Sequence, residues 1–148
     1  MREILFRAKW MDKGEWIEGY YCKISETTYA FAEDYDKYPV PVHHYILQEN
    51  MTDWGLPNRF WQYEIDPETL CQYTGLKNKN GKKIWENDII RVENSANEGT
   101  GVVVFYEGVW YVDRGVNNSL YNIALYDDEA EIYIIGNIID NPYMVKKG

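Results

Sequence analysis

A chain of 148 residues has room for one domain or two small modules packed together. Its 15 Lys and Arg face 24 Asp and Glu, and the net charge of −9 repels nucleic acid and anionic membrane surfaces. No window holds the roughly 18 apolar residues of a membrane-crossing helix, and the start Met1-Arg2-Glu3 is charged too early for a secretory leader. A cytoplasmic address is therefore expected.

Aromatic residues make up 16% of the chain, with 14 Tyr and 6 Trp. These side chains suit half-buried pleated surfaces and favour strands. Ile4, Phe6, Ala8 and Trp10 alternate with charged neighbours, which predicts a first strand. Asp12-Lys13-Gly14-Glu15 supplies a turn, and Trp16 to Ile24 returns as a second strand. Thr27 to Ala32 reads as a third. Glu33 to Pro41 reads as an exposed loop, Val42 to Leu47 as a short strand, Gln48 to Arg59 as a second loop and Phe60 to Ile65 as a strand.

Asp66-Pro67-Glu68-Thr69 is the start of a helical turn, with Asp as cap and Pro in the first position. Tyr73-Thr74-Gly75 resumes extended chain, and Asn80-Gly81 marks a tight hairpin turn. Further strands are expected at Ile89–Val92, Val102–Tyr106, Val109–Val112, Leu120–Tyr126 and Glu131–Ile139, with Glu107-Gly108 turning between two of them. Asn94 to Gly99 reads as a loop. No window carries a long 3.6-residue period, so long helices are not expected. Many short strands at this spacing predict an antiparallel barrel or sandwich.

Candidate chemistry is sparse. The only histidines, His43 and His44, are adjacent and point to opposite faces of a strand, so one metal cannot easily use both. Cys22 and Cys71 lie far apart and outside any CxxC spacing, as free thiols would. A nucleophile could come from Cys22, Cys71, Ser25, Ser95 or Ser119, but no motif brings one to a histidine. No phosphate-cradling glycine loop occurs. Glu86 and Asp88 could face one cleft as acid and base, although Asp88 is better placed to cap the local turn. Lys77, Lys79, Lys82 and Lys83 are the one basic cluster, at a hairpin tip. Asp127-Asp128-Glu129 with Glu131, and Glu33-Asp34-Asp36, are acidic loops that could meet a basic partner.

The segment Gln72-Tyr73-Thr74-Gly75-Leu76-Lys77-Asn78-Lys79-Asn80-Gly81-Lys82-Lys83-Ile84-Trp85-Glu86-Asn87-Asp88-Ile89-Ile90 resembles the YopX family of phage and prophage proteins. That family's central signature is similar to QYTGLKDKNGKEIYEGDIV. Phe6-Arg7-Ala8-Lys9-Trp10, Asp66-Pro67-Glu68-Thr69 and Ile135-Gly136-Asn137-Ile138-Ile139-Asp140-Asn141-Pro142 extend the likeness to nearly the whole chain. The resemblance implies a β-rich fold whose second half is an SH3-like barrel, and it brings no catalytic residue with it. Asn87 stands where the family usually has Gly; Asn is the next most tolerant of a left-handed turn.

The expected fold is therefore mainly β with few short helical turns. An antiparallel module spans residues 1–65 with two exposed loops, and an SH3-like barrel module spans 66–148. The expected function is non-enzymatic protein binding or assembly, with an unidentified protein partner and a homo-oligomeric state. Neither membrane nor nucleic acid is expected as a partner, nor any metal or cofactor. Exposed barrel aromatics, Trp85, Trp110, Tyr111 and Tyr126, are the candidate binding residues, because SH3-like barrels hold peptides on such rings. Two alternatives are an acidic DNA mimic or nucleic-acid-associated regulator, and a small enzyme.

Overall fold

The computed structural model describes residues 1–27, 29–115 and 120–145. The chain forms two compact units, Leu5–Leu70 and a second made of Met1–Ile4 with Cys71–Gly148. Both are built on antiparallel strands, so the fold is mainly β as expected. No helix among the described residues is long and apolar enough to cross a membrane.

In the first unit four strands lie in the order β4-β3-β2-β1, with β1 at Phe6–Lys9, β2 at Trp16–Ser25, β3 at Val42–Asn50 and β4 at Arg59–Glu64. Ala8 pairs with Ile17, Tyr21 with Ile46, and Ile46 with Tyr63. Directly paired residues share a face. That face is the core, where Ala8, Ile46 and Ile65 are fully buried beneath Phe6, Ile17, Tyr21 and Leu70. Trp10 bridges to Ile65 and the Met11 N–H donates to the Glu64 carbonyl at 3.0 Å, so the end of β1 closes over the end of β4.

Two expectations for this unit are corrected. Thr27 to Ala32 does not add a strand; Thr28 lies outside the described residues, and Ala32 begins a helix. Glu33 to Pro41 is not wholly loop, because Ala32–Lys37 is that helix, α1. Glu33 and Asp34 sit in its first turn and Lys37 in its last, charges that suit the helix dipole. Beyond α1, Asp66 behaves as expected. Its side chain accepts the Glu68 N–H at 3.0 Å and caps a 3-10 turn at Pro67–Thr69.

The second unit opens with a hairpin of β5, Cys71–Lys77, and β6, Lys83–Trp85. Asn80-Gly81 lies at its tight turn, as the sequence predicts. The Gly81 N–H donates to the Asn78 carbonyl at 3.0 Å, and the left-handed residue is Gly81 alone, at φ 77°. This is a turn closed by a left-handed glycine, the arrangement of longer hairpin loops. By contrast Glu107 and Gly108, at φ 47° and 83°, join two paired residues directly, as in a type I′ turn.

Five more strands follow: β7 at Asp88–Glu93, β8 at Gly99–Tyr106, β9 at Val109–Asp113, β10 at Leu120–Asn122 and β11 at Glu131–Asn137. Strands β7 to β10 form a meander, and β11 returns to pair with β7, giving the order β10-β9-β8-β7-β11. Ile84, Ile90, Val92, Val103, Val112, Ile123 and Ala130 make its core. Among the described residues no pairing joins β10 to β11, so the strand order is that of an open sheet. Leu120 to Tyr126 is not one strand. The Asn122 side chain accepts the Ala124 N–H at 3.0 Å and turns Ile123–Leu125 into a 3-10 helix.

Asn87 has φ 69°, the left-handed conformation its sequence context implied. Its N–H donates to the Val103 carbonyl at 2.9 Å and its carbonyl accepts from Ile138 at 3.0 Å. The corner between β6 and β7 is thereby tied to two other segments of the unit.

Candidate functional site

The second unit does not present the four barrel aromatics as one exposed surface. Trp85 is only 4% exposed, its ring 5.5 Å from that of Tyr73, and it is therefore not a surface aromatic. Trp110 packs on the core and against Phe105 at 4.8 Å, and Tyr111 is half-buried. Tyr126 packs against Tyr121 at 4.6 Å; burial raises its phenol pKa, and the Arg114 guanidinium opposes that shift. Tyr126 does line a shallow concavity of about 300 Å³ floored by Leu76, Ile84, Ile123 and Ile132. Packing thus buries Trp85, while Trp110, Tyr111 and Tyr126 are half-buried.

The paired carboxylates of this unit also serve its backbone. Asp88 is 1% exposed and its Oδ2 accepts the Trp85 N–H at 2.8 Å, the cap that the sequence suggested. Glu86 exchanges two hydrogen bonds with Gln72, accepting the Gln72 N–H on Oε1 at 3.1 Å and donating its own N–H to the Gln72 carbonyl at 2.9 Å. Of the four lysines at the hairpin, Lys77, Lys79 and Lys82 are exposed, while Lys83 is half-buried over the Tyr73 ring. Asp127 closes its own turn through the Glu129 N–H at 3.1 Å. Ser119 lies outside the described residues.

A surface that sequence reasoning passed over lies on the first unit. Strand pairing sets Tyr20 beside Leu47, Cys22 beside Tyr45 and Ile24 beside His43. It likewise sets Leu47 beside Gln62, Tyr45 beside Glu64 and Glu49 beside Phe60. All of these stand on the face opposite Ile46 and the core, because successive side chains alternate across a strand. Tyr20 is 47% exposed, Ile24 43% and Phe60 54%. The Tyr20 and Phe60 rings meet edge to face at 6.0 Å, so the patch is already ordered.

His43 bounds this face. Its Nε2 lies 2.6 Å from a Glu26 carboxylate oxygen, its Nδ1 bonds Glu64, and its ring stacks on Tyr45 at 6.2 Å. Both ring nitrogens can donate only in the imidazolium. The hydrogen bond with Glu64, then that with Glu26, raises the His43 pKa above its ordinary 6.5. His44 points the other way, as adjacent strand residues must, and meets the Tyr21 hydroxyl at 2.5 Å on Nδ1. Among the described residues no group of His, Cys, Asp and Glu has the arrangement of a metal site. Cys22 on this face and Cys71 in the second unit are both free thiols.

At the other side of the same face, the Arg7 guanidinium lies 4.7 Å from the Trp16 ring centre and the Lys9 ammonium 5.5 Å. The face therefore carries a cation–aromatic border on one side, the Tyr20–Phe60 pair beside Leu47, and, past Tyr45 along β3, a histidine held by two carboxylates. Such a surface can hold a polypeptide by apolar contact and orient it by charge.

The comparisons agree with this architecture. The solved crystal structure of protein EF1440 from Enterococcus faecalis matches with a TM-score of 0.54 at 19% identity, covering 99% of this chain and 100% of that one. At that identity the likeness concerns the fold. No curated protein matches the chain. The model of the family described as YopX protein matches residues 5–146. With every strand among the described residues inside that match, the chain belongs to the YopX protein family.

Proposed function

We propose that this chain is a non-enzymatic binding and assembly protein of a prophage, working in the cytoplasm through protein contacts. The exposed sheet face of the first unit is the contact surface. One observation carries the reading: Tyr20, Ile24 and Phe60 stand exposed on a single face of a rigid sheet. Scattered exposed apolar residues are ordinary, but Tyr20 and Phe60 meet ring to ring with Ile24 four residues along β2 on the same face, and exposed apolar groups gathered on one sheet face are a feature of interaction surfaces.

The test is capture of a host or phage protein by the full chain, compared with the Tyr20→Lys/Ile24→Lys double variant. Both side chains are surface groups, so the variant is expected to keep its circular dichroism spectrum and melting temperature. Loss of at least about tenfold in captured partner is expected, since two buried apolar contacts are worth about 1.5–3 kcal/mol each. Equal capture by the folded variant, together with loss on changing Trp110 or Tyr126, would place the surface on the second unit instead.

A further inference from the structure

We infer that two copies of this chain join by antiparallel pairing of their β4 edges, with a two-fold axis at Phe60. The inference rests on the assembly reading and names its partner as a second copy. Strand β4 is the outer strand of its sheet. Its sequence, Arg59-Phe60-Trp61-Gln62-Tyr63-Glu64, has no lysine or proline, the residues that commonly blunt such an edge. Phe60 and Trp61 are 54% and 55% exposed on opposite faces.

Backbone direction fixes which groups are open. The Ile65 N–H donates inward to the His44 carbonyl at 2.9 Å, while the Glu64 carbonyl faces outward to Met11. An antiparallel strand turns alternate residues to alternate neighbours. Gln62 and Phe60 therefore present their N–H and C=O groups outward, and no strand among the described residues pairs with them. The same alternation carried one step past the start of β4 assigns Asn58 to the open edge in the proposed pairing. Met11 closes the edge at Glu64, so the open stretch is Asn58 to Gln62, centred on Phe60.

That stretch is complementary to itself. A two-fold axis normal to the sheet keeps each residue on its own face, so paired positions must have the same parity. Centring on Phe60 sets Phe60 opposite Phe60 of the second copy, where the two exchange both backbone bonds. Asn58 falls opposite Gln62 of the second copy, amide against amide. Arg59 falls opposite Trp61 of the second copy, twice, a guanidinium beside an indole face. A register centred on Trp61 would set Asn58 opposite Glu64, whose carbonyl already accepts from Met11. On the opposite face, the Tyr20–Phe60 pairs of the two copies become continuous.

The shared edge is short, and its area falls well under the roughly 1,200–2,000 Å² of a standard interface, so the dimer is of micromolar strength or weaker. Each copy carries −9, and the association is expected to tighten as salt screens that repulsion.

The experiment is sedimentation of the full chain from about 5 to 500 µM, a span that brackets a weak dimer. A concentration-dependent dimer is expected. Gln62→Pro removes an outward N–H and no bond to β3, so it should keep the fold and weaken the dimer at least about tenfold. Phe60→Lys, an edge charge, should do the same. In a Cys22→Ser background, Phe60→Cys should give a disulfide-linked dimer on oxidation and Trp61→Cys should not. A dimer unchanged in both folded variants would overturn the edge while leaving assembly through another surface intact. A wild-type monomer at every concentration would overturn the inference and homo-assembly together, yet the capture test would still judge the exposed face.

Discussion

Gly19→Ala is expected to lower the melting temperature by at least about 10 °C, through a loss of about 3 kcal/mol in the first unit. Gly19 is buried in β2 opposite Phe6, where β2 passes close to β3. A methyl group there would stand 2.3 Å from the Leu47 carbonyl oxygen and 3.0 Å from the Ile46 side chain. Leu47 is backbone in the next strand, so relief requires the two strands to separate. That movement would break the register which sets Tyr20 beside Leu47, and with it the exposed face. Gly14→Ala is the contrast. Gly14 has φ 68° with nothing near its absent methyl group, so only the left-handed backbone is strained and the cost should be about 1 kcal/mol. Thermal unfolding of both variants, followed by circular dichroism, separates the two causes. Equal small shifts would contradict the close approach of β2 and β3.

The second large effect is expected at Asp88→Ala, about 3 kcal/mol of destabilisation in the second unit. Its carboxylate is buried and holds the Trp85 N–H across the two-residue turn at Glu86-Asn87. Removing it leaves that N–H without the acceptor in a region where water cannot substitute. Asp88→Asn keeps an acceptor oxygen and should cost less than half as much. Urea titration of the two variants checks this order. If Asn were as damaging as Ala, the charge rather than the hydrogen bond would be what the turn requires.

The turns and caps of both units were legible because their local chemistry and their tertiary place agree. Asn87 is left-handed, Asp88 caps and Asp66-Pro67 starts a turn, all by interactions within a few residues. Elsewhere local patterns were too short to be decisive. Six residues of α1 show no helical period, and a single Asn122 was enough to end a strand inside an apolar run.

The candidate surface was hidden for a different reason. β2 carries Tyr20 and Tyr21 side by side, so period-2 alternation shows two faces but not which one is buried. The packing of Tyr21 on the core and the exposure of Tyr20 follow from the pairing of Tyr21 with Ile46, a contact distant in sequence. Ring abundance in the second half did not show that Trp85 packs against Tyr73, Trp110 against Phe105 and Tyr126 against Tyr121. That β4 lies at an edge is likewise a property of strand order, which no single strand encodes.

The central claim is that the first unit's sheet face receives the protein partner. Photo-crosslinking tests it most directly, with a benzophenone side chain placed at Tyr20 in one preparation and at exposed Phe105 of the second unit in another. In host extract the account predicts a discrete protein adduct from position 20 and none from position 105. An adduct from position 105 alone would contradict it.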